Sequence, residues 1–68
     1  MHWQTEYNRA LVRDRILVTA AEMGLRIEAK RGLEAAIVDL SFEEFLALLK
    51  SDDNLRVLIV ELRLQGKI

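Results

Sequence analysis

The run EYNRALVRDRILVTAAEM, residues 6–23, holds no glycine and no proline, and Gly24 follows it directly. Thr5 stands where a helix N-cap is wanted. Gly24 suits the left-handed position past a helix end, and Leu25 is placed for the hydrophobic contact that accompanies such a stop. The spacing predicts a helix from about Glu6 to Met23.

Turned about 100° per residue, this helix carries two apolar stripes rather than one. Tyr7, Leu11, Val18 and Ala21 form the first, widened by Ala10 and Leu17. Val12, Ile16 and Met23 form the second on nearly the opposite side, with Thr19 between them. A helix covering one face of a small core needs a single stripe, so the second implies contact with another molecule, first of all another copy of the same chain. The expected interface is therefore Val12, Ile16, Thr19 and Met23. Asp14 falls near the middle of the first stripe, where a buried carboxylate without a partner would cost several kcal/mol. A rim position, or pairing with an arginine such as Arg26, resolves that conflict.

The stretch after Gly24 has two competing periods. Leu25, Ile27 and Ala29 alternate with Arg26, Glu28 and Lys30 as in a strand, while Leu33, Ala36, Ile37 and Leu40 sit at helical spacing. A helix starting at Leu25 has no capping residue and is interrupted by Gly32. A hairpin turning at Lys30 and Arg31, with Gly32 in a bulge of positive φ, gives one wholly apolar face. Ser41 with Glu44 makes a capping box ahead of a helix from Phe42 to about Lys50, expected to bury Phe42, Phe45, Leu46 and Leu49. SDDN breaks that helix. The segment from Leu55 to about Leu64 has a helical stripe with Gly66 as its stop. However, Val57, Ile59 and Val60 and a nearly continuous apolar run favour a covered strand. The expected fold is α+β, an α-β-β-α-β order with a three-stranded mixed sheet, as a single domain over residues 1–68. An all-α helical bundle is the alternative.

Composition narrows the chemistry. There is no cysteine, so disulfides, thiolate metal sites and a cysteine nucleophile are excluded. His2 is the only histidine, which argues against a Ser-His-Asp triad or a histidine-rich metal site. The net charge is −1, so the whole chain exerts no pull toward nucleic acid. No apolar run approaches a membrane span and no signal-like segment opens the chain, so a cytoplasmic location is expected.

Three constellations carry some chemistry. Glu28-Ala29-Lys30 has the Glu-x-Lys spacing with which metal-dependent nucleases hold a cation on a strand. Asp39 and Glu61 end the echoing segments AIVDL and LIVEL, and on parallel neighbouring strands they would approach as Mg²⁺ ligands. Arg9 and Arg13, with Lys30 and Arg31, are the candidate contacts to phosphates, diluted by Glu6, Asp14, Glu22 and Glu28. Each also reads as ordinary solvated charge. The function expected from the sequence is a non-enzymatic protein–protein interaction module, a homo-oligomeric adaptor or inhibitor without cofactors. A dimeric nucleic-acid-binding regulator and a minimal metal-dependent enzyme are the rivals.

Overall fold

The computed structural model describes residues 2–68. Four helices follow one another: α1 (Glu6–Glu22), α2 (Lys30–Val38), α3 (Phe42–Lys50) and α4 (Asp52–Leu64). No strand occurs among the described residues, so the expected α-β-β-α-β order and its mixed sheet are overturned in favour of an all-α fold.

Helix α1 starts and stops as its sequence dictates. The Thr5 side chain accepts a hydrogen bond from the Asn8 N–H, 3.1 Å long. At the other end Gly24 has φ 76°. The Leu25 N–H reaches back to the Ala20 carbonyl and the Gly24 N–H to that of Ala21, at 2.9 and 3.0 Å. Those two bonds are a Schellman stop, which only a residue tolerant of positive φ closes cheaply. Gly66 ends α4 in the same way, with φ 71° and the Lys67 N–H bonded to the Leu62 carbonyl.

The hairpin expected between Leu25 and Leu40 resolves into two parts. Residues 25–29 are extended but have no partner strand. Their alternation is real: Leu25 and Ile27 pack against the core, while Arg26 and Glu28 face solvent. From Lys30 the helical period takes over, and Leu33 and Ile37 are fully buried. Gly32 is inside α2 and does not have positive φ. What it supplies is space, because a Cβ there would collide with the Lys67 carbonyl oxygen.

The capping box of α3 is present. Ser41 accepts from the Glu44 N–H, and the Glu44 carboxylate accepts from the Ser41 N–H. Phe45 and Leu48 are the residues α3 buries, whereas Phe42 and Leu46 are exposed. One extended residue, Ser51, separates α3 from α4, and its hydroxyl caps α4 by accepting from the Asp53 N–H. Asp52 and Asp53 in the first turn oppose the positive end of the helix dipole. These signals, with Leu55, Ile59 and Leu62 buried on one side, outweigh the strand preference of Val57, Ile59 and Val60.

Helix α1 is the hub, packing on α4, α2 and α3, and α3 also packs on α4. The start of α1 meets the end of α2, and Arg13 meets Glu34, so these two helices run in opposite directions. The N-terminal segment ties three elements together. The Trp3 ring stacks on Phe45 with centroids 4.4 Å apart, and the Gln4 amide donates to the Ile37, Val38 and Leu40 carbonyls at the end of α2. The radius of gyration is 11.1 Å, against about 11 Å for a single compact domain of this length. One chain therefore closes its own core.

Candidate functional site

The arginines of α1 are turned toward this chain. Arg9 donates to the Gln4 carbonyl at 2.7 Å, Arg13 to Glu34 at 3.1 Å, and Arg15 to Asp52 at 2.9 Å. These contacts tie the flanks of α1 to the N-terminal segment, to α2 and to α4. Between them lies the core-facing stripe: Val12, Ile16 and Ala20 are at most 1% exposed, and Thr19 is buried beside them. Met23 is half-buried against the same cluster.

That placement corrects the expected interface. Val12, Ile16 and Thr19 are covered by their own chain and offer nothing to a partner. The surplus lies on the other stripe. Tyr7 is 76% exposed and Val18 59%, with Leu11, Leu17 and Ala21 also exposed. The two stripes are both present on α1, with their roles exchanged: the inner one closes the core and the outer one faces solvent. Asp14 was the signal that would have decided it, because it sits in the middle of the outer stripe with 72% of its side chain exposed. Its nearest cation is Arg13, at 3.8 Å, rather than Arg26. Burying that stripe would have desolvated a carboxylate; burying the other cost only a threonine.

The outer stripe has the spacing of a helix-packing seam. Tyr7, Leu11, Asp14, Val18 and Ala21 recur at intervals of four, three, four and three residues, the pattern that keeps one line of side chains facing a second helix. Glu6 and Glu22 flank it, both exposed. The outer side of α4 carries a shorter version in Val57, Val60 and Leu64, all exposed.

The other candidate residues scatter. Lys30 and Arg31 are exposed in the first turn of α2, a helix start with no side-chain cap, while Arg9 and Arg13 are engaged as described. Glu28 and Lys30 no longer share a strand face, since Glu28 is on the extended segment and Lys30 opens α2. Asp39 and Glu61 do line one shallow cavity of about 130 Å³, together with Glu44 and Lys67. No group of three or more His, Cys, Asp or Glu side chains among the described residues is arranged to hold a metal ion. No helix among them is long and apolar enough to cross a membrane.

A second concavity, about 360 Å³, opens beside the N-terminal segment and is lined by His2, Trp3, Thr5, Asn8, Phe42 and Phe45. Its aromatic floor is already stacked within the chain, and the Asn8 amide is spent on the Trp3 carbonyl at 2.8 Å. Comparison with protein families, with characterised proteins and with solved structures finds no match to this chain.

Proposed function

We propose that this protein is a small non-enzymatic protein-binding module, an adaptor or inhibitor, whose contact surface is the outer stripe of α1. One observation carries the reading. A chain whose core is already closed leaves Tyr7, Leu11, Leu17 and Val18 exposed together on one side of one helix. Single exposed aliphatics are ordinary, but several on one face, at helix-packing spacing, are the usual mark of an interaction surface. Tyr7 and Val18, the most exposed of the four, have most of their apolar surface outside the core.

The reading assigns the protein to the cytoplasm, where a cysteine-free chain with no recourse to disulfides is at home. The test is a photo-crosslinking amino acid placed at Val18 and, as control, at Glu43 on the exposed side of α3, in cells that make the protein. A discrete cross-linked species from position 18 and none from position 43 supports the proposal. Equal labelling from both, or none from position 18, removes it. Light scattering on the isolated protein then separates a second copy from a different protein as the species bound.

A second reading, nucleic-acid binding, draws on the start of α2. Lys30 and Arg31 lie in its first turn, against the helix dipole and without a capping side chain, and Arg26 is exposed on the segment before. Such a start favours an anion. Its test is a mobility-shift series in rising salt, in which binding that fails to weaken speaks against phosphate contacts.

A further inference from the structure

We propose, resting on the outer stripe of α1 as the binding surface, that its occupant is a basic amphipathic helix of another protein rather than a second copy of this chain. The spacing argues for a helix. Side chains at four-three-four-three intervals present one straight seam, and a partner with the same periodicity fills it along its whole length.

Charge chooses which helix. Every exposed carboxylate of α1 (Glu6, Asp14 and Glu22) lies on or beside the seam. The helix's three arginines, by contrast, are bonded to Gln4, Glu34 and Asp52 of the same chain. Arg13 also stands 3.8 Å from Asp14, but its shorter contact is the 3.1 Å one to Glu34, so the seam is apolar with a net acidic charge. Asp14 is the midpoint of Tyr7–Ala21, so a two-fold antiparallel pairing of two copies centred there sets Asp14 against Asp14. Like charges facing one another across an interface oppose association. A lysine or arginine of a foreign helix placed opposite Asp14 converts the same position into an attraction, and one that selects register as well as partner.

The experiment uses the full chain and a synthetic helical peptide with leucines at four- and three-residue spacing, a central lysine in the seam and lysines on its flanks. Its twin carries glutamate for every lysine. Binding is read by fluorescence anisotropy at low and high salt. The lysine peptide should bind one to one. Val18→Glu should weaken it by about tenfold or more, and Asp14→Asn by about threefold. Glu43→Gln, which makes the same charge change on α3, should leave affinity within about twofold. Equal binding of the glutamate twin overturns the proposal, as does an Asp14→Asn effect no larger than that of Glu43→Gln. A dimer in solution that Val18→Glu splits and the lysine peptide fails to displace also overturns it, while leaving the outer stripe as the binding surface. If Val18→Glu alters neither peptide binding nor solution mass, the surface itself is wrong.

Discussion

Exchanging the roles of the two stripes of α1 makes a prediction about stability that can be worked from single residues. Ile16 is 0% exposed. Truncating it to alanine removes three carbon groups worth about 0.8 kcal/mol each in transfer, and the cavity left behind raises the cost to about 3 kcal/mol. The whole fold of a 68-residue chain is worth about 3–10 kcal/mol. Ile16→Ala should therefore lower the melting temperature by roughly 12–24 °C, and Ile16→Glu should abolish folding, because an unpaired carboxylate would replace a core aliphatic. Val18, two residues on, is 59% exposed. Val18→Ala gives up only about 0.6 kcal/mol of partial burial and regains a similar amount from alanine's helix propensity, so the net change is within about 0.5 kcal/mol. Urea denaturation followed by helical circular dichroism measures both. The Ile16→Ala loss should also be independent of protein concentration, since the contacts it removes lie within one chain. Equal losses at the two positions, or an Ile16→Ala loss that fades on dilution, would refute the assignment of the inner stripe to this chain's own core.

Three further perturbations probe other joints of the fold. Gly32→Ala should destabilise although alanine is the better helix former, because the new methyl collides with the Lys67 carbonyl; the cost should be about 1 kcal/mol, and hydrogen exchange should report loss of protection at the Lys67 N–H. Gln4→Glu should cost more at neutral pH than Gln4→Ala, since a carboxylate would face the Ile37, Val38 and Leu40 carbonyls that the amide now serves. That environment raises the folded-state pKa of the introduced acid, so stability returns as pH falls from that raised value toward the ordinary glutamate value of about 4.3, below which recovery is complete; a pH-independent deficit would contradict the contact. Trp3→Ala should cost about 3 kcal/mol through loss of a buried ring stacked on Phe45; in the unsubstituted protein the emission of Trp3, the only tryptophan, should shift to the red in the same transition that circular dichroism follows.

Legibility in the sequence followed the local hydrogen-bonding signals. Thr5, Gly24 and the Ser41–Glu44 pair act within a few residues of themselves, and each places a helix end where the structure has it. The strand expectations fail where a β-branched run or a two-residue alternation competes with helix-end signals, as in α4, or with a buried helical stripe that has no side-chain cap, as in α2. In α4, Ser51, two aspartates in the first turn and Gly66 all bound a helix, and they prevail over the strand preference of Val57, Ile59 and Val60. Side-chain preference yields readily to packing, whereas a cap satisfies backbone groups that nothing else nearby reaches. Gly32 misled for a different reason. The carbonyl it makes room for belongs to Lys67, thirty-five residues on, and no local pattern carries that information.

The stripe exchange teaches the opposite lesson, because there the deciding residue was in plain view. Counting aliphatics ranks the two sides of α1 nearly equal, and a count cannot choose between them. Asp14 can, since the penalty for burying one carboxylate exceeds the gain from burying one more valine or leucine. The inner side tolerates Thr19, which loses far less than a carboxylate does on leaving water. Once Asp14 is held in solvent it keeps Tyr7, Leu11 and Val18 there with it, because all four occupy one line on a rigid helix. A single charge thereby determines which aliphatic side chains close the core and which stay available, and the same charge becomes the feature that a partner lying along that line must answer.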